Sequence, residues 1–547
     1  MPARSEVAPI LYLPVALGRA LSIVVLSFGV AAWASPTITV ASPMAGSVGT
    51  PTFFDATSTS TCGAGIAAMR IYTAPGVHPF TTKSPHLETF LNLQPGSYNV
   101  VIQAWDNCGG ISKVPVAITV VSAAGVHLFL PSTSSTTTPI HIAASAENPA
   151  CPAGMSAVRI YTAPGEHLFT NKGGTLNAFI NLHPGTHLAV AQAWDNCGNV
   201  FKAPFAVNVT GGPFGKFLYV SQEDRKSIAE FQLKTGKVIN PNQPNLPPEV
   251  FLPAAPGYLS VDPSGNFAYA GLEDGHIAIF NINRATGKLF RRAIIAVPDI
   301  RPGSNWISLT VDRSGNYLFA TNIWSDVIVS YRIDRSSGDL AFIGTAQTGA
   351  GPNNIATDWR GRYVYVTDDL INGLNDYSIS TLTGKLVPLA VNPIPVGSTF
   401  TLAASDKFVF VDFSGFLIGP NGVLSPAPPV PSWVPGCCGL VHTLTLDPIH
   451  NLLIYSIDIG GYQTDYIETL RIQPDGSLLY GRAIRGLLLP RAVTLDPSYQ
   501  FVYTCDIDPI FPKPRVTSIA YAPDGSGGIS STANRAASQT LDAVASP

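Results

Sequence analysis

Apolar positions along this chain fall in short runs that alternate with polar ones and break at clusters of Gly, Pro, Asp and Asn. A period of two marks a half-buried strand, and turn formers at both ends mark its limits. The stretch 259–271, LSVDPSGNFAYAG, shows the pattern: apolar strand, turn, apolar strand. Asp262 at the first turn position, Pro263 at the second and Gly265 at the fourth suit a type I turn. Beyond the N-terminus few windows carry a helical period, so the chain is expected to be all-β.

Two kinds of repeat organise these strands. The stretch 69–83, MRIYTAPGVHPFTTK, returns as VRIYTAPGEHLFTNK at 158–172, and QAWDNCG at 103–109 returns at 192–198. Cys62, Arg70, His78, Lys83, Trp105 and Cys108 each recur 89 residues later. Two such copies predict β-sandwiches over 35–122 and 123–212. If Cys62 ends the second strand of a sandwich and Cys108 follows the sixth, one bridge ties the two sheets together, and Cys151–Cys197 does the same in the second copy. Closing such a loop is worth roughly 4 kcal/mol in the chain-entropy model. Trp105 and Trp194 are expected to pack near these bridges.

From 213 onward the unit changes. The strand-turn-strand pattern of 259–271 recurs at 309–322, 355–368, 444–458 and 493–506, with weaker copies at 211–221 and 403–412. A second signature alternates with it, as in IAEFQLKTGKV (228–238), IAIFNINRATGKL (277–289) and DYSISTLTGKL (376–386). Each period holds about four strands in roughly 40–50 residues, the size of one propeller blade. Seven periods predict a seven-bladed β-propeller over 213–547. Blade 1 lacks an inner strand, and the tail Gln539–Pro547, which resembles the inner-strand sequence LSVDP, is expected to supply it.

The bulk properties narrow the function. A net charge of −3 leaves no basic footprint for nucleic acid. Residues 1–34 read as a signal peptide: Arg4 and Arg19 precede the apolar run Leu21–Val30, and Ala32-Trp33-Ala34 supplies a small-x-small cleavage pattern. No later segment is long and apolar enough to span a bilayer as a helix. Export to the periplasm, cell surface or medium follows, and paired cysteines agree with an oxidising compartment. His78 and His167 are repeated but bring no second ligand at fixed spacing, which leaves no metal motif there.

At this point the residues resemble known families. The AWDxxG strand ends resemble the bacterial Ig-like repeats of secreted and surface proteins, which implies spacer or adhesive modules. The alternation of DPSGxxxYV with YxIxxxTGxL resembles the seven-bladed lactonase propellers and the related YVTN propellers; Tyr365-Val366-Thr367-Asp368 nearly matches the tetrapeptide that names the latter. The implied architecture is two tandem Ig-like β-sandwiches followed by a seven-bladed β-propeller. The implied activity is hydrolysis of a sugar or related lactone. Lactonase relatives place a His at the start of an inner strand, and His442 alone matches that type here, with Arg491 at the corresponding place in the next blade.

Candidate chemistry lies where second strands leave each blade. These exits are acidic: Glu223, Asp224, Asp326, Asp368, Asp458 and Asp506, together with Glu273, Asp274, Asp369, Asp412 and Asp508. Loops entering the inner strands reach the same face and carry Arg301, Trp306 and Asn353. Capping of turns by Asp is the plain reading. A carboxylate-lined mouth for a polar ligand or a divalent cation is the functional one. No cofactor motif is evident, and no GxSxG or HExxH occurs. The expected ligand is a small molecule, a glycan or a protein, with a lactonase or a purely structural envelope protein as alternatives. Cys505 falls on the same face as Cys437 and Cys438 of the adjacent blade, so a bridge from Cys505 to one of them is expected.

Overall fold

The computed structural model describes residues 35–129, 135–163, 166–210, 212, 215–239, 248–300, 307–389, 393–397, 399, 401–429, 440–458, 466–484, 487–507, 514–534 and 543–546. Residues 1–34, expected to be a signal peptide, and Arg301, Trp306, Asp508, Cys437 and Cys438 lie outside them, and the side chains of His167, His442, Arg491 and Asp458 do also. Among the described residues every regular element is a strand and none is a helix.

The first unit packs a three-stranded sheet (Thr37–Ser42, Thr52–Thr59, His86–Leu91) on a five-stranded one (Gly46–Gly49, Ile66–Tyr72, Phe80–Thr82, Gly96–Asp106, Ile111–Val121). Alternation in the long strands sends Val100, Ile102 and Ala104 inward onto Phe54, Ala56 and Leu87 of the opposite sheet. The second unit repeats the plan, with Gly185–Asp195 and Val200–Thr210 as its long pair. Cys62 is bonded to Cys108 and Cys151 to Cys197, so each bridge ties the connection between the two sheets of its unit to the turn of the long hairpin in the five-stranded sheet. Asp106 anchors that end: Ser60 Oγ donates to it at 2.8 Å, and the backbone N–H groups of Cys108 and Gly110 at 3.0 and 2.7 Å. Trp105 is not packed in the core beside the bridge. Its strand neighbours Ala104 and Asp106 take the inward positions, and Trp105 lies half-buried beneath the Arg70 guanidinium, 5.3 Å from the ring centroid. Trp194 and Arg159 repeat this pair at 5.3 Å.

The remaining chain forms seven consecutive antiparallel sheets. Their innermost strands, Pro256–Val261, Ser308–Val311, Pro352–Thr357, Leu402–Ala404, Leu440–Asp447 and Leu488–Leu495, are neighbours in turn around a channel. In the sheet that begins with Phe217–Gln222, the inner strand is Ala543–Ser546, which stands between the inner strands of the second and seventh blades and completes the ring.

Two short motifs hold the blades. Asp262 closes its turn through the Gly265 N–H to Asp262 C=O bond at 2.9 Å, and its carboxylate accepts from the N–H groups of Asn266 and Phe267 at 3.0 and 2.8 Å. Asp312 and Asp358 accept from the equivalent residues of their blades. A buried tyrosine on the second strand then reaches the next blade. Tyr219 donates to the carbonyl of Gly287 at 2.7 Å and Tyr269 to that of Gly338 at 3.0 Å.

The two N-terminal units sit on the face formed by these turns. Thr138, Pro139 and Asn181 of the second unit close the channel at that end, over a cavity of about 330 Å³. Asn181 Nδ2 donates to the Trp359 carbonyl at 2.8 Å, Phe179 N–H to the Ser314 carbonyl at 2.9 Å, and His183 Nε2 lies 2.9 Å from Asp406 Oδ2. Trp359 Nε1 donates to Tyr499 Oη at 2.9 Å, joining blades 4 and 7 under the cap.

Candidate functional site

With the turn face covered, the face reached by second-strand exits is the other end of the channel. The acids there form two groups in the described part. Glu223 and Asp224 follow Phe217–Gln222, beside Glu273 of the next blade. Partial burial, together with the charges of Glu273 and Asp224, pushes the Glu223 carboxyl up. Lys226 Nζ stands 3.4 Å from Glu273, and Arg225 holds Glu249 in a two-pronged pair at 3.0 and 2.9 Å.

The second group spans blades 3 to 5. Asp326 is exposed in a tight turn with φ 48°, and its carboxylate accepts from the Gly351 N–H at 3.1 Å. Asp368 ends the strand Tyr363–Asp368 and is fully buried. Its Oδ2 accepts from the Gly349 N–H at 3.0 Å and from Asn375 Nδ2 at 2.5 Å. A Cβ at Gly349 would stand 2.2 Å from that oxygen, so only glycine permits this approach. The other oxygen, Asp368 Oδ1, is buried with no hydrogen-bond partner among the described residues, and Asp369 Oδ1 is in the same condition. Burial raises the Asp368 carboxyl to about 6 against the hydrogen bond from Asn375, and the charges of Asp326 and Asp369 add to the rise. Asp369 is also raised, by burial first and with Asp412 adding to it, although Asn353 Nδ2 donates to it at 2.7 Å. Buried carboxylates whose neighbours are further carboxylates keep their protons to higher pH than free ones, which brings them closer to the range of general acid–base work. Trp324, Leu370 and Ile371, all exposed, flank this group.

Asp506 differs from the rest. It is buried, receives Arg515 Nε at 2.7 Å and Thr517 Oγ1 at 2.6 Å, and is thus a neutralised structural acid. Asp412 is likewise buried and accepts from the Thr401 N–H and hydroxyl, each at 2.8 Å. His442 lies at an irregularity between Val441 and Thr443 on its inner strand, and Arg491 stands opposite Cys505 in register; their backbone places both on inner strands. Cys505 is buried, and its expected partners Cys437 and Cys438 fall outside the described residues. Sequence reasoning passed over Asn375 and Gly349, although an Asn inside the apolar strand Gly373–Ile379 was a legible signal.

Metal ligation was tested on the same residues. Among the described residues, the groups of three or more His, Cys, Asp and Glu atoms close enough to share an ion are the bridged cysteines with Asp106 and with Asp195. Those sulfurs are bonded to each other, so these groups do not fit an ion, and among the described residues the acids of the propeller face form no such group.

Residues 291–403 match the family model described as lactonase, 7-bladed β-propeller. A 6-phosphogluconolactonase of Serratia proteamaculans is 24% identical over 150 residues, covering 26% of this chain and 44% of that protein. One of Pectobacterium atrosepticum is 22% identical over 140 residues, covering 25% and 42%. The chain thus spans less than half the length of the curated relatives it matches. A solved structure of a proposed 6-phosphogluconolactonase from Bacteroides uniformis is 14% identical with a TM-score of 0.48, covering 61% of this chain and 100% of that one. The periplasmic gluconolactonase of Pseudomonas aeruginosa is 15% identical with a TM-score of 0.47, covering 60% and 99%. The matched segment is similar to propeller lactonases and contains Asp326, Asn353, Asp368 and Asp369.

Proposed function

We propose that the chain is an exported propeller protein that takes a small polar ligand at the acidic face, with two Ig-like sandwiches serving as the fixed cap of the opposite face. The observation carrying this reading is that Thr138, Pro139 and Asn181 stand over the cavity at the turn face. A ligand entering from the other face would pass Asp326, Asp369 and Asn353. The bridges in both N-terminal units support the Ig-like reading and an oxidising compartment.

Lactone hydrolysis is the second reading, favoured by the family-model match over 291–403. Hydrolysis needs a base to activate water and a donor for the developing oxyanion. Asp368, with a carboxyl raised to about 6, is suited to the first role; Arg491 and His442 are the candidates for the second. The deciding experiment offers a panel of lactones to the purified full chain and records both binding and turnover. Saturable binding without turnover supports the binder. Turnover that falls at least tenfold in both His442→Ala and Arg491→Ala supports the hydrolase. Neither binding nor turnover with any polar ligand overturns the acidic-face reading.

A further inference from the structure

Beneath the cap, three parts of the chain bury one charged network. The first unit supplies Asp55 on Thr52–Thr59, and His86 and Glu88 on His86–Leu91. The second supplies His141 on Ile140–Glu147 and Asn177 on Thr175–Ile180. The propeller supplies Arg335. His86 Nε2 lies 2.9 Å from Asp55 and 3.2 Å from Glu88; His141 Nδ1 lies 3.4 Å from Asp55 and its Nε2 3.6 Å from Glu88. Arg335 Nε donates to Glu88 at 3.1 Å, and Asn177 Nδ2 donates to the same carboxylate. A cavity of about 270 Å³, lined by Asp55, His86, His141, Asn266 and Arg284, opens onto the network, and His86 Nδ1 has no hydrogen-bond partner among the described residues.

We infer that this network is a proton-dependent latch: the first N-terminal unit is held against the second unit and the propeller while His141 is protonated, and is released as that proton is lost. Both acids belong to the first unit, while His141 and Arg335 belong to the bodies it docks on. Removing the His141 charge takes from Asp55 the closest of the cations that face it across that seam and leaves only the more distant Arg284 and Arg335 of the propeller. The second unit does not share this dependence, because its strands continue one apolar core with Tyr317 and Phe319 of the propeller. The other charged groups around the latch are Arg284 of the propeller, which interacts with Asp262 and Asp55, Asp262 itself, which also acts on Arg335, and His127 paired with Glu147 at 3.9 Å farther along the second unit.

The direction follows from the shifts. Burial pushes His141 down, but the Asp55 and Glu88 carboxylates beside it outweigh this and raise it to about 10. Its contribution is full below its ordinary value of 6.5 and is lost as pH rises through about 10. Burial pushes Asp55 up, but His141 and His86 hold it at about 2, and Glu88 lies well below its usual range; their contribution is lost only in acid. Docking is therefore tightest in mildly acidic solution and weakens on the alkaline side, by about tenfold per pH unit for one proton.

Small-angle scattering of the full chain at about pH 6 and about pH 11, with hydrogen exchange on the same samples, tests the latch on both sides of the His141 titration. Expected is a reversible increase in dimension at the higher pH, with faster exchange in the first unit near Asp55 and Glu88 and unchanged protection in the propeller. His141→Gln should show the expanded form already at about pH 6. Should that variant not fold, the wild-type pH series decides alone. Identical scattering at both pH values overturns the latch, as does an expanded chain at both, or loss of propeller protection at the higher pH.

Discussion

Tyr219 and Val544 stand opposite each other in antiparallel register, so the first strand of the propeller pairs with nearly the last residues of the chain. The pairing continues from Phe217 opposite Ser546 to Val220 opposite Ala543. Deleting 539–547 exposes the inner edge of Phe217–Gln222 to the channel and separates the inner strands of blades 2 and 7. We expect a loss on the order of 3 kcal/mol or more from a typical ~5–15 kcal/mol, read as a lowered propeller transition in calorimetry. An unchanged transition would mean that the pairing contributes nothing to stability.

Tyr269→Phe tests the link between blades. The phenol is fully buried and its hydroxyl donates to Gly338 of the following blade at 3.0 Å. Removing one buried hydrogen bond with the ring kept in place costs about 1–2 kcal/mol. Tyr219→Phe should cost a similar amount through Gly287, and urea midpoints of the two single mutants and the double mutant should be near additive if the links are independent.

The Asp-Pro-Ser-Gly turns and the strand alternation were legible because each blade writes its own local rule. The cap was not, because it depends on contacts between distant units. Yet two of the residues beneath it, Trp359 and Tyr499, break the repeat. Trp359 stands where Asp262-Pro263 has proline, and Tyr499, at φ 56°, where Gly265 has glycine. Arg284 and Arg335 occupy matching places in two outer turns and both reach the N-terminal units. Departures from a repeat thus marked the docking surface. The acidic face was legible only as composition. Sequence places Asp368 and Asp506 at equivalent strand ends, but one lies among acids while the other faces Arg515, and that difference rests on the neighbouring strand in each blade.

The two bridges should be separable from the propeller. Non-reducing peptide mapping is expected to recover Cys62 with Cys108 and Cys151 with Cys197. Reduction should lower the N-terminal transition, since each closed loop is worth roughly 4 kcal/mol in the chain-entropy model. A peptide linking the two units would contradict the pairing.

Asp368→Asn should stabilise the protein at neutral pH, which separates a functional from a structural carboxylate. The folded carboxyl titrates at about 6 against an ordinary 3.8, so the folded state favours the proton. The stability this group contributes is present below the ordinary value and is lost as pH rises from there through about 6. At pH ~7 the ionised side chain is therefore a cost on the order of 1–3 kcal/mol. An asparagine keeps an acceptor for Gly349 and Asn375 and points its amide where Oδ1 has no partner among the described residues, next to the negative Asp326 and Asp369. The variant should gain stability at neutral pH and gain little near pH ~4, where the wild-type carboxyl is already protonated. Denaturant midpoints at the two pH values measure the difference. If ligand capture or lactone turnover at this face depends on the carboxylate, the stabilised variant should lose it by at least about tenfold. A variant that is both destabilised and fully active would place Asp368 among the structural acids, with Asp506.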